Sequence, residues 1–91
     1  MYKLLISKSA GKFIKSLPPK QFKQIVSSVL NLRKNPLPQD AKKLKGDNPY
    51  FRSDIGEYRI IYRTDKNTVY ISLIGKRNDD EIYRNFRQKC N

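Results

Sequence analysis

From Phe51 to Ile74 the chain changes side-chain character at every second residue, and two short turn signals cut the stretch into three. Phe51, Ser53 and Ile55 alternate with Arg52 and Asp54. Tyr58, Ile60 and Tyr62 alternate with Arg59, Ile61 and Arg63. Val69, Ile71 and Leu73 alternate with Tyr70, Ser72 and Ile74. A period of two sorts side chains onto the two faces of a strand, a pattern that no helix satisfies. Gly56-Glu57 suits a two-residue hairpin turn with glycine first, and Asp65-Lys66-Asn67 suits a second turn. Three consecutive strands joined so tightly make an antiparallel meander.

The first turn also fixes a register. It sets Ile55 opposite Tyr58, Asp54 opposite Arg59 and Arg52 opposite Ile61, with facing Cβ atoms ~5 Å apart. Arg52, Asp54 and Arg59 then share one face. Phe51, Ser53, Ile55, Tyr58, Ile60 and Tyr62 share the other, which is the expected core face. The second turn is expected to keep Arg59 on the face of Ile71 and Leu73 and, beyond them, Arg77.

The cover for the core face precedes the meander. Tyr2, Leu4 and Ile6 alternate with Lys3 and Leu5 as a short strand would, and Ser7 is a candidate N-cap. Ala10, Phe13, Ile14 and Leu17 fall on one helical face, and Pro18-Pro19 ends that helix and starts the next. Phe22, Ile25, Val26, Val29 and Leu30 mark the stripe of the second helix, which Asn35-Pro36 stops. So short a link predicts an antiparallel helical hairpin. Leu37 to Asn48 reads as a linker. After Gly75-Lys76-Arg77, the run Asn78-Asp79-Asp80-Glu81 supplies a cap and an acidic first turn for a last helix carrying Tyr83 and Phe86. The order β-α-α-β-β-β-α is an α+β fold with the helical hairpin on one face of the sheet. Ninety-one residues hold one core, so 1–91 is read as a single domain.

Charge narrows the partner. Twenty Lys and Arg against eight Asp and Glu leave +12, a field that draws polyanions. RNA, DNA, an acidic protein or an anionic membrane surface would each answer it. Histidine is absent, which removes the commonest general base and transition-metal ligand. The acidic residues show no ligand spacing, so neither a metal nor a cofactor is expected. The single cysteine, Cys90, excludes an internal disulfide. No apolar run approaches the ~20 residues that span a bilayer, and Met1 to Ile6 is too short for a signal-peptide core. A cytoplasmic protein without membrane association is expected.

Arg52, Arg59, Arg77 and Asp54 thus converge on one sheet face, and Tyr83 follows one turn into the last helix. Forked guanidiniums with an aromatic suit a phosphate and a stacked base. Arg59 and Asp54 also suit a plain surface ion pair, worth at most ~1 kcal/mol.

Lys43-Leu44-Lys45-Gly46, Tyr50-Phe51-Arg52, Gly56-Glu57-Tyr58-Arg59-Ile60-Ile61-Tyr62, Gly75-Lys76-Arg77 and Glu81-Ile82-Tyr83-Arg84 together resemble the RelE/ParE toxin superfamily over essentially the whole chain. Gly-Lys-Arg with a tyrosine six residues past the arginine resembles its ribosome-dependent ribonuclease branch. The resemblance implies a metal-independent endoribonuclease that cuts messenger RNA in the ribosomal A site, and a RelB-like antitoxin that binds it as a hetero-oligomer. The alternative is a ParE-like gyrase inhibitor without nuclease activity. By the same resemblance Arg59 binds the scissile phosphate, Arg77 protonates the leaving 5′-oxygen, and Tyr83 orients the 2′-hydroxyl or stacks on a base. Lys42, Lys43, Lys45 and Lys76 would extend the RNA- and ribosome-binding surface. Arg52 matches the first of two basic residues on the preceding strand, one of them the proposed general base. The second falls on Asp54, a departure from the family pattern; a different gap would place Tyr50 and Arg52 at the two positions. Asp54 is then either the orienting partner of Arg59 or the base itself. The implied reaction is attack of the ribose 2′-hydroxyl on the adjacent phosphate, leaving a 2′,3′-cyclic phosphate and a 5′-hydroxyl.

Overall fold

The computed structural model describes residues 1–39 and 41–76. They form β1 (Lys3–Ile6), α1 (Lys8–Lys15), α2 (Pro19–Lys34), β2 (Lys42–Lys43), β3 (Tyr50–Ile55), β4 (Tyr58–Thr64) and β5 (Thr68–Lys76). The last helix, expected from residue 78, lies outside the described residues.

Local chemistry accounts for the helix ends. Ser7 caps α1 by accepting the Ala10 N–H at 3.1 Å, and its hydroxyl donates to the Ser72 carbonyl at 2.7 Å. The cap therefore also pins α1 to the sheet. Pro18 and Pro19 open α2, where a missing N–H costs nothing. At its far end Tyr2 and Arg33 are tied twice: the Tyr2 N–H donates to the Arg33 carbonyl, and Arg33 Nε donates to the Tyr2 carbonyl at 3.2 Å.

The apolar stripe of α2 is narrower than the sequence suggests. Ile25, Val29 and Leu32 are buried, with Val26 half-buried beside them, whereas Phe22 and Leu30 are 40% and 45% exposed. Phe22, Val26 and Leu30, each four residues from the next, run along the rim of the stripe, and Leu32 takes a core position instead.

The strands run in the order β1-β5-β4-β3-β2, with β1 parallel to β5 and every other pair antiparallel. The expected meander is present as β3-β4-β5. Part of the expected linker is instead the edge strand β2, which sets Lys42 opposite Arg52 and Lys43 opposite Phe51. Asn48 makes that strand possible: its side chain accepts the Tyr50 N–H and donates to the Lys45 carbonyl, folding residues 44–49 into a connection. Lysines along such an edge discourage further strands from adding to it.

Between β3 and β4 the register is the one the turn dictates, with Ile55 opposite Tyr58, Asp54 opposite Arg59 and Arg52 opposite Ile61. Gly56 has φ +57°, while no described non-glycine residue has a positive φ. That sign pattern belongs to a type II′ turn. The β4–β5 ladder departs from expectation. Ile61 faces Leu73, but Tyr62 faces Ile71, so Ser72 is an extra residue on β5. Such a bulge reverses the alternation beyond it. Ile71 consequently joins the core under the helices with Val69 and Tyr62, not the face of Arg59, while Leu73 stays on the Arg59 side with Ile61.

Tyr62 is the largest fully buried side chain among the described residues. Its hydroxyl donates to the Pro36 carbonyl at 2.8 Å, which satisfies its polar end, and its ring lies 5.9 Å from that of Phe51. Phe13 meets Tyr58 edge-on at 5.7 Å. At Gly56, an added Cβ would approach the Gln24 side chain to 3.1 Å in a backbone region that L-residues avoid. Gly56→Ala should cost about 1–2 kcal/mol, read as a lower urea midpoint with an unchanged slope.

Candidate nucleic-acid interface

The register sorts the face turned away from the helices into three rows. The row nearest the β3–β4 turn holds Asp54, Arg59 and Gly75. The middle row holds Lys42, Arg52, Ile61 and Leu73. The far row holds Tyr50, Arg63, Tyr70 and Leu5. Ile61 and Leu73 are buried, packed by Leu44 and Tyr50, and form an apolar floor between the charged rows.

Arg59 and Asp54 make the best-defined polar contact on this face. Nε donates to Oδ1 at 2.6 Å and Nη2 donates to Oδ2 at 3.1 Å, a two-point fork. The arginine side chain is 12% exposed and the aspartate 37%. Solvent reaches the carboxylate, so the pair adds little to stability, and its consequence is geometric. A carboxylate and a phosphate offer a guanidinium the same pair of acceptor oxygens. Asp54 therefore fixes the orientation of the Arg59 guanidinium, with Nε and Nη2 both turned to the carboxylate.

Arg52 stands half-buried in the middle row beside Lys42. Among the described residues it makes no ion pair and no side-chain hydrogen bond. The remaining lysines are less concentrated than the sequence suggests. Lys42 shares the face of Arg52 and Arg59. Lys43, opposite Phe51, and Lys76, opposite Tyr58, fall by register on the helix-bearing side, and Lys45 is exposed in the loop before Asn48. Arg77 and Tyr83 lie outside the described residues. Among the described residues, no three His, Cys, Asp or Glu side chains cluster to hold a metal ion.

Sequence reasoning passed over Arg63 and Tyr70. The Arg63 guanidinium carbon sits 3.8 Å from the centre of the Tyr70 ring. Arg63 was within reach of the alternation, since it shares its parity with Arg59. Tyr70 was not, because only the extra residue at Ser72 brings it opposite Arg63.

Comparison with known proteins gives this geometry a context. A family model described as the ParE toxin of type II toxin-antitoxin system, parDE, matches residues 4–81. A Methanocaldococcus jannaschii protein that carries the toxin name RelE1 is 33% identical over 85 residues, covering 88% of this chain and 92% of its own. Two solved complexes superpose with a TM-score of 0.73. One is the archaeal RelE-RelB complex of Pyrococcus horikoshii OT3, 26% identical and spanning 84% of this chain and 94% of that one. The other is the toxin-antitoxin complex RelBE2 of Mycobacterium tuberculosis, 28% identical and spanning 84% and 98%. The fold is that of the small toxins of type II toxin–antitoxin systems. The chain belongs to the RelE/ParE toxin superfamily, and its solved neighbours are RelE-like.

Because the Asp54 carboxylate is partly solvated, Asp54→Asn should lower unfolding stability by less than ~1 kcal/mol, measured by urea denaturation beside the wild type.

Proposed function

We propose that this toxin acts in the cytoplasm as a metal-independent endoribonuclease that cuts messenger RNA in the ribosomal A site, and that a RelB-like antitoxin holds it in check. The observation that carries the reading is Arg59, forked and oriented on a basic sheet face beside Arg52 and Lys42. The RelE names of the relatives support the nuclease branch, and the two solved complexes, each of a toxin with its antitoxin, support the partner.

In this mechanism Arg59 grips the scissile phosphate and, with Arg77, stabilises the charge that builds on the phosphorane as the 2′-hydroxyl attacks. Arginine holds its proton too tightly to be a good acid or base near neutral pH. Much of the rate must then come from holding the reacting groups in line, which the ribosome does by presenting the codon. Tyr83 would orient the 2′-hydroxyl or stack on a base. Asp54 is the orienting partner of Arg59, since a carboxylate engaged by a guanidinium fork is a weak base.

The matched family model is named for ParE, so gyrase inhibition without cleavage is the second reading. It leaves Arg77 and Tyr83 without a task, which ranks it below the first.

In a ribosome-containing translation system the purified toxin should cut translated message within codons and hardly touch free RNA. Cutting should persist after chelation on ribosomes shown to be intact. Equal cutting of naked RNA would remove the ribosome from the mechanism, and a strict need for added divalent ion would remove the metal-free chemistry.

Two variants separate the roles. Arg77→Ala should lose ~10²–10³ in single-turnover rate, as for one missing charge-stabilising group, while still binding antitoxin. Asp54→Asn should lose little, and Asp54→Lys should be tolerated. Undiminished toxicity of Arg77→Ala together with gyrase-linked DNA breaks would instead select the second reading. A fall of more than ~10³ in Asp54→Asn, matched in Asp54→Lys, would make Asp54 the general base.

A further inference from the structure

We propose that Arg63 and Tyr70 form a second RNA-contact site that holds a nucleotide flanking the one cut at Arg59, a role that rests on the nuclease reading above. Arg63 lies on the same face and the same strand as Arg59, four residues further along β4. At the rise of a strand that is ~13 Å, a gap that a few nucleotides of single-stranded RNA bridge.

The local chemistry is suited to a nucleotide. The Arg63 guanidinium carbon sits over the Tyr70 ring at 3.8 Å, a cation–π contact that steadies the group without an acidic partner. Among the described residues, Arg63 makes no ion pair and no side-chain hydrogen bond, although it is only half-exposed. Half-buried and, among the described residues, paired with no acid, Arg63 differs from Arg59, whose edge Asp54 occupies. A backbone phosphate would take the forked N–H edge, and a base can add to the stack. Tyr50, directly across β3, completes an aromatic–arginine–aromatic row along the far end of the face. This row confers grip and register on the message and takes no part in bond breaking. Arg63 and Tyr70 are therefore positioning residues.

The test is single-turnover cleavage on programmed ribosomes, with messages carrying ordinary phosphates or one methylphosphonate stepped through the positions on either side of the cut. Arg63→Gln should raise the half-saturating concentration about tenfold, the loss expected for one charge-assisted hydrogen bond, with the maximal rate unchanged. Arg63→Lys, which keeps the charge but not the fork, should recover part of that loss. One methylphosphonate position should weaken the wild type by the same factor and leave Arg63→Gln no worse. Urea unfolding of each variant verifies that the fold is kept. If wild type cuts and Arg63→Gln saturates as wild type does, or if the two losses multiply at every position, the site is overturned and Arg63 only staples β4 to β5. If wild type cuts no message at all, the nuclease reading fails and this site fails with it.

Discussion

A glycine with φ +57° closes the turn between β3 and β4, and the face of every side chain in that hairpin follows from it. Slippage by one residue would exchange the faces of a strand completely. Tyr58, Ile60 and Tyr62 would leave the core, and Arg59 and Arg63 would enter it without acceptors. The hydrophobic term and the cost of burying an unpaired guanidinium oppose that slip together. The same burial that stabilises the sheet thus holds the arginines in a row on its opposite side. Ile61 strengthens the arrangement. It is fully buried on the arginine side, so the central strand is anchored from both faces.

On that face the charges are treated unequally. Arg59 has a carboxylate locked onto its fork, Arg52 stands between Lys42 and Ile61 with no ion pair among the described residues, and Arg63 has a tyrosine beneath it. With +12 on the chain, a polyanion would meet attraction across the whole face. Among the described residues, Arg59 is the arginine of this face whose edge an acidic group occupies.

Much of this was legible in the sequence because it depends on short-range rules. The alternation from Phe51 to Tyr62 and the Gly56-Glu57 turn predict the observed pairing of Asp54 with Arg59, and Ser7 caps α1 as its position suggests. What was not legible depends on tertiary context. Two residues of β2 carry too little pattern to stand out from a loop, and they pair only because Asn48 bends the chain back. The burial of Leu32 over Leu30 depends on how α2 is turned on the sheet. The extra residue at Ser72 follows from no local signal, yet it sends Ile71 into the core and Tyr70 to Arg63. The roles of Arg77 and Tyr83 come from family resemblance alone.

The parallel pairing of β1 with β5 sets an order of assembly. Lys3 to Ile6 bond to Thr68 to Ile71, and the Ser7 hydroxyl reaches a carbonyl 65 residues later in the chain. A chain made from its N-terminus emits β1 early and must leave it unpaired until β5 emerges. The β3–β4 hairpin, with its two-residue turn, can close well before that; contacts so distant in sequence form late and slowly. The arginine face can therefore begin to form while the strand that borders it still waits. A nascent copy of this toxin would display part of its charge before its edge is sealed.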